Sequence, residues 1–169
     1  MRLLRSQWFG YPPANESQIY NAEQRLGRPL PPSLRNFYLV TNGWYTTGCF
    51  IYNILPVEKI DWLQVIKPHL YEIAIRAENR SSDSDAEDWL LDYRYEQGTK
   101  VKRSLAISSE GDAAIWLLDP EDKDTNGEWA AGRWASWNPA MECTATSFEK
   151  LMLQEFEFLI ARESREEEL

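Results

Sequence analysis

Two short segments near the start of the chain are bounded by residues that begin and end helices. Asn15 is a good N-cap, Gln18 stands at the capping-box spacing after it, and Gly27 provides a left-handed stop. Pro31-Pro32 then breaks the chain and begins a second helix, which Asn42-Gly43 ends. The apolar residues between these boundaries follow helical spacing: Ile19, Ala22, Leu26, Leu34, Phe37, Tyr38 and Thr41. The sequence therefore predicts an N-terminal helical hairpin.

The last part of the chain carries the clearest helix signal. Thr146 and Glu149 have the spacing of a capping box. The apolar residues after them repeat at i, i+3 and i+4: Phe148, Leu151, Met152, Phe156, Leu159 and Ile160. This pattern predicts a long C-terminal helix that packs its apolar stripe on a sheet.

Short apolar runs between these helices predict strands. Residues 49–55 are rich in aromatic and β-branched side chains, which favour a strand. Residues 104–108 and 113–118 flank the turn signal Glu110-Gly111-Asp112, which predicts an antiparallel pair. A third strand is predicted at residues 128–137, which are rich in Trp and Ala.

Residues 58–97 carry a weaker pattern. Apolar residues from Val65 to Ala74 are compatible with a helix interrupted by Pro68, and Trp89 to Tyr93 with another. The acidic, serine-rich residues 80–88 between them are typical of a loop. The order of helices, strands and helix predicts an α+β fold. At about 150 residues per domain, we expect a single domain over residues 1–169.

Composition favours an ordinary water-soluble domain, with 43% hydrophobic and 27% charged residues. No stretch approaches the roughly 20 consecutive apolar residues of a membrane-spanning helix. The first residues are basic but lack the apolar core of an export signal. We therefore expect a cytoplasmic protein with no membrane partner.

The net charge of −9 is unevenly distributed. Residues 1–80 carry a net charge of +3 and residues 81–169 carry −12. The acids cluster at 83–88, 119–124 and 166–168. Such a chain repels nucleic-acid phosphate, so we expect no nucleic-acid partner. Two interpretations remain: the acids attract a basic protein, or they belong to solvated loops.

Few residues are available for catalysis or metal binding. His69 is the only imidazole, and Cys49 and Cys143 lie far apart without a metal-binding spacing. In a chain without an export signal, these cysteines are expected as reduced thiols. The chain lacks the usual nucleophile and phosphate-binding motifs. We expect no catalytic residue, no cofactor and no metal, although a carboxylate pair for hydrolysis stays an alternative.

Residues 122–127 match the opening D-x-D-x-N-G of a calcium-binding EF-hand loop. Position 12 of that loop requires a bidentate Glu, and Arg133 stands there. The favoured interpretation is an acidic hairpin turn in which Asn126-Gly127 adopts positive φ.

The chain contains eight tryptophans. Most of those in the C-terminal strands are expected in the core; these strands contain Trp116, Trp129, Trp134 and Trp137. Trp44 follows the Asn42-Gly43 helix stop, with Tyr45 beside it, and is the tryptophan that we expect to be partly exposed. Aromatic residues in such positions anchor protein interfaces.

Several fragments match a known family in their order and spacing. Residues 23–43 contain E-x-x-L-G-x-x-L-P-x-x-L-x-x-F followed by Asn42-Gly43. Later fragments are Leu118-Asp119-Pro120, Gly127-Glu128-Trp129, Trp137 and Ser147-Phe148. This pattern closely resembles the SUKH superfamily of the yeast Smi/Knr cell-wall regulator and of bacterial immunity proteins.

The resemblance implies an α+β fold, no catalytic residues and a protein-binding role. It favours an immunity protein that neutralises a nuclease-type toxin, and the alternative is an intracellular regulatory adaptor of the Smi/Knr type. The recurrent residues of the family are expected to determine the fold rather than bind the partner: Leu26, Gly27, Leu30, Pro31, Gly43, Gly127 and Trp129.

Acidic residues of two predicted loops, together with the aromatic pair, are the candidates for binding a basic toxin domain. They are Trp44, Tyr45, Asp83, Asp85, Glu87, Asp88, Glu121, Asp122 and Asp124.

Overall fold

The computed structural model describes residues 10–45, 51, 53–80, 88–109, 111, 114–135, 137 and 141–166. The helices within this part of the chain are α1 (Glu16–Leu26), α2 (Pro32–Val40), α3 (Leu63–Ile66), α4 (Pro68–Arg80), α5 (Asp88–Arg103) and α6 (Phe148–Glu166). The strands are β1 (Trp44–Tyr45), β2 (Asn53–Ile54), β3 (Asp61–Trp62), β4 (Leu105–Ala106), β5 (Ala114–Lys123), β6 (Trp129–Ala135) and β7 (Met141–Ala145). The α+β prediction is confirmed.

The N-terminal helical hairpin forms where the sequence predicts it. The Asn15 side chain accepts a hydrogen bond from the Gln18 backbone N–H, and Gln18 Oε1 accepts one from the Asn15 N–H. Gly27 ends α1 with φ of 73°, and Pro32 begins α2. The Ala14 N–H donates to the carbonyl of Tyr38 at 2.9 Å, which joins the two helices.

An antiparallel sheet in the order β3-β4-β5-β6-β7 forms the centre of the fold. The predicted pair of strands is confirmed by the register Leu105 with Leu118, and β6 pairs with β5 as the third strand. The structure adds β7, which the sequence pattern missed and which pairs Met141 with Trp134 of β6. Within the predicted strand 49–55, the described part contains only the short strand β2, paired with β1.

Helices cover both faces of the sheet. Trp116 and Leu118 of β5 belong to one core with α1, α2 and the start of α6. Ile115 and Leu117 point the other way, into a second core with α3, α4 and α5. Burial on both faces explains why this part of β5 is a continuous apolar run rather than an alternating one.

The middle of the chain is helical on both sides of the predicted loop. Helix α3 ends at Ile66 and α4 begins at Pro68, so the predicted interruption is confirmed. Residues 81–87 of the predicted loop lie outside the described residues. Among the described helices, none combines the length and the apolar character needed to cross a membrane.

The C-terminal helix differs from its prediction in two ways. Its N-cap is Ser147 and not Thr146, because Ser147 Oγ accepts the hydrogen bond from the Lys150 N–H. Phe148 and Leu151 are buried, but Phe156 and Ile160 are 58% and 48% exposed. The prediction that the whole stripe packs on the sheet is therefore wrong. The buried face of α6 continues from Leu151 to Glu155, which is 9% exposed, and Phe156 and Ile160 lie about 100° and 140° around the helix from Glu155.

Three of the four C-terminal tryptophans are core residues as expected. Trp116, Trp129 and Trp134 are each at most 3% exposed. Trp137 is the exception and is 62% exposed. It lies just beyond the end of β6, where the sheet no longer provides a face to pack on.

Candidate protein-binding surface

The predicted acidic loop at residues 119–124 is mostly a strand. Strand β5 continues to Lys123, which pairs with Trp129 after a register shift that begins at Asp119. Residues 121–123 are exposed because this part of the β5–β6 hairpin extends past β4, which pairs only as far as Leu118. We call residues 119–128 the acidic hairpin end.

Asp119 is structural. It is completely buried and accepts two hydrogen bonds from Arg103, to Oδ1 from Nε at 2.7 Å and to Oδ2 from Nη2 at 2.5 Å. These hydrogen bonds raise the pKa of Arg103 above its ordinary value, despite partial burial. Asp119 therefore joins α5 to β5 and is not available to a partner.

Asp124 organises the turn. Its Oδ1 accepts hydrogen bonds from the backbone N–H groups of Glu128 at 2.9 Å and Asn126 at 2.8 Å. The bond from Glu128 is the main cause that lowers the pKa of Asp124. Gly127 has φ of 82°, so the predicted positive-φ turn is confirmed. In the part of the chain that the structure describes, no three Asp, Glu, His or Cys side chains converge as metal ligands.

Two grooves border the acidic hairpin end. One, of about 340 Å³, lies between Asp122, Asp124, Ala130 and the threonines of residues 144–146. The other, of about 250 Å³, adjoins Asp122 on the side of Lys100. The exposed Glu121 carboxylate pairs with Arg28 at 3.0 Å. Asp122 and Asp124 thus present carboxylates beside a concave surface.

The predicted aromatic pair lies elsewhere. Trp44 is half-buried and packs against the core, whereas Tyr45 is 47% exposed. The rings of Tyr45 and Tyr11 lie 4.3 Å apart. Desolvation, together with a hydrogen bond to Tyr45, raises the pKa of Tyr11 to about 12. Tyr11 therefore stays neutral at physiological pH.

The structure does not bring the aromatic pair together with the acidic hairpin end. Trp44 pairs with Ile54, which in turn bridges to Ser108. Ser108 accepts a hydrogen bond from the Trp116 N–H. Asp122 lies six residues beyond Trp116 along β5, which corresponds to about 20 Å at the usual rise of a strand. These residues therefore form two separate surfaces.

The remaining candidates fall on a segment that is not described. Asp83, Asp85 and Glu87 lie outside the described residues, and Asp88 is the first residue of α5. Cys49 also lies outside them, so the redox prediction stays a prediction. His69 is exposed near the start of α4.

Comparison with protein families finds a match over most of the chain. The model of the SMI1/KNR4 family (SUKH-1) matches residues 13–154, which run from just before α1 into α6. The chain belongs to the SUKH-1 family. A search of curated proteins finds no match.

The recurrent SUKH-1 residues that are expected to determine the fold lie in structural positions. Leu26, Leu30 and Trp129 are buried, and Gly27, Gly43 and Gly127 all have positive φ. A Cβ on Gly43 would lie 2.8 Å from the Ile54 carbonyl oxygen, so only glycine fits there. The expectation that these residues determine the fold of a SUKH-1 chain agrees with their positions.

Two glutamates of the SUKH-1 fragments have roles that sequence reasoning missed. Glu23 Oε1 accepts a hydrogen bond from the Leu30 N–H at 3.0 Å. Glu128 accepts two from Ser33, one from the backbone N–H and one from the hydroxyl. Helix α2 has Pro31 at its N-cap position and no cap from its own side chains, which is the signal that a distant acceptor is needed.

Proposed function

We propose that this SUKH-1 chain is a non-enzymatic protein-binding module, an immunity protein that neutralises a basic, nuclease-type toxin in the cytoplasm. The observation that carries the proposal is the acidic hairpin end, where Asp122 and Asp124 border a groove in a chain of this family. The net charge of −9 supports it.

The physical basis is electrostatic complementarity. A nuclease that grips phosphate presents a basic cleft, and exposed carboxylates on a rigid hairpin fit such a cleft. Long-range attraction speeds association, and the effect weakens as salt screens it. Occupying the cleft excludes the nucleic acid, so inhibition requires binding and no turnover.

The test is co-expression with the toxin-like protein encoded beside this chain. We expect growth rescue and a complex that copurifies. The double variant Asp122→Asn/Asp124→Asn should slow association by about tenfold at low salt and flatten its salt dependence. The matched control, Glu16→Gln/Glu72→Gln, changes net charge equally on α1 and α4 and should leave the rate near that of the wild type.

The contrary results are distinct. Absence of rescue and of a complex rejects toxin neutralisation. If the two double variants slow association equally, the association rate depends only on the net charge of the chain. The acidic hairpin end is then not the surface that contacts the toxin. A regulatory adaptor of the Smi/Knr cell-wall type is the second candidate, favoured by the family match. It predicts a copurifying signalling or cell-wall protein and no rescue from a toxin.

A further inference from the structure

The middle of α6 exposes an apolar stripe. Leu153, Phe156 and Ile160 are 46%, 58% and 48% exposed. Because they are spaced three and four residues apart, they lie on one face of the helix. Single exposed apolar residues are common on protein surfaces, but a row of three on one face marks an interaction site.

The stripe continues into a groove between α2 and α6. This groove has a volume of about 460 Å³ and is lined by Phe37, Val40, Phe148 and Met152. The rings of Phe37 and Phe148 pack edge to face, with centroids 5.1 Å apart, and form a rigid floor. From Phe148 to Ile160 the apolar surface follows α6 for about 18 Å, roughly three turns of a docked helix.

Carboxylates dominate the borders of this surface. Glu128 and Glu149 line the groove, and Glu157 is exposed beside Phe156. Glu128 accepts its hydrogen bonds from uncharged groups of Ser33, so its charge is not neutralised by them. Lys150 is a cation near the stripe, three residues before Leu153.

Glu128 also connects this surface to the acidic hairpin end. Its backbone N–H donates to Asp124, while its carboxylate lines the α2–α6 groove. The apolar surface is therefore continuous with the carboxylates of the hairpin turn. A partner that covers both meets a strip of apolar contacts with negative charge along it.

We infer that the α2–α6 groove and the stripe of α6 bind an amphipathic helix of the partner that carries basic residues beside its apolar face. A helix with apolar residues at i, i+3 or i+4 and i+7 matches the length and shape of the surface. A second copy of this chain fits poorly, because it would bring together two molecules of net charge −9 and their carboxylates.

This inference rests on the proposed protein-binding function but not on toxin neutralisation. The probe is a synthetic amphipathic helix of leucine and lysine, about four turns long, whose binding to the full chain is measured by fluorescence anisotropy. We expect Phe156→Ala to raise the Kd by about tenfold or more. Phe158→Ala is the matched control, since Phe158 is 50% exposed but lies about 160° away around the helix.

A control peptide with glutamate in place of lysine should not bind. Failure of the lysine peptide to bind the wild type, or equal losses in the two phenylalanine variants, overturns the inference. A dimer of the wild type that Phe156→Ala dissociates assigns the surface to a second copy and also overturns it. Peptide binding without growth rescue rejects toxin neutralisation but supports this binding surface. Growth rescue without peptide binding supports toxin neutralisation but rejects this binding surface.

Discussion

The carboxylate of Glu128 caps helix α2 through Ser33, which lies 95 positions earlier in the chain. Oε1 accepts the Ser33 backbone N–H at 2.8 Å, and Oε2 accepts the Ser33 hydroxyl at 2.6 Å. A negative charge at this point also interacts favourably with the N-terminal end of the helix dipole. The turn of the β5–β6 hairpin thus completes a helix that its own side chains leave uncapped.

Replacing Glu128 should therefore destabilise the fold. We expect Glu128→Ala to lower the free energy of unfolding by about 1–2 kcal/mol, the usual cost of a lost N-cap. Urea denaturation measures the change. Glu157→Ala, at an exposed position of α6, is the control and should change stability by less than about 0.5 kcal/mol. Equal values for the two variants would show that the cap is not significant.

The pair formed by the half-buried Arg103 and the buried Asp119 predicts a non-additive effect. Arg103→Met leaves the Asp119 carboxylate buried without its cation and should cost about 3 kcal/mol or more. The double variant Arg103→Met/Asp119→Leu removes the buried charge and should be more stable than Arg103→Met alone. Thermal and urea unfolding of both variants test this, and additive losses would contradict the pairing.

Gly43 is expected to be less replaceable than Gly27 and Gly127, which also have positive φ. Gly43→Ala combines φ of 109° with a Cβ only 2.8 Å from the Ile54 carbonyl oxygen, so we expect a loss above about 2 kcal/mol. Gly27→Ala and Gly127→Ala are matched controls with positive φ but open space around the Cβ. They should lose about 1 kcal/mol each. A similar loss at all three positions would mean that the close contact relaxes.

Glu58 predicts a pH-dependent contribution to stability. Burial opposes its ionisation, but hydrogen bonds from Asn42, its own backbone and Gln18 outweigh burial and lower its pKa below 4.5. Because the folded pKa is the lower one, the stabilisation is present above about pH 4.5 and is lost as pH falls through the folded value.

The substitution Glu58→Gln isolates this contribution. At neutral pH it should lower the free energy of unfolding by less than about 1 kcal/mol, since Glu58 is exposed and solvent screens it. At pH 3 the difference from the wild type should shrink towards zero. Urea denaturation at the two pH values measures this, and a difference that grows on acidification contradicts it.

Local features of the fold were predictable because they depend on neighbouring residues. The capping box of Asn15 and Gln18 and the stop at Gly27 involve backbone groups a few positions away. The pairing of β4 with β5 follows from a turn between two apolar runs. For each of these features, the interacting residues are close together in the sequence.

Features that join distant segments were decided by tertiary structure. Asp119 looked like one of several acids in a solvated loop, but Arg103 of α5 meets it in the core. Phe156 continues the i+4 spacing of Phe148 and Met152, and Phe148 is buried, yet Phe156 is exposed. Spacing along a helix shows which residues share a face, whereas burial also requires another element to cover that face. For the candidate surface, the sequence therefore determined the residue types and the charge, and only the packing of helices and sheet decided which side chains a partner can reach.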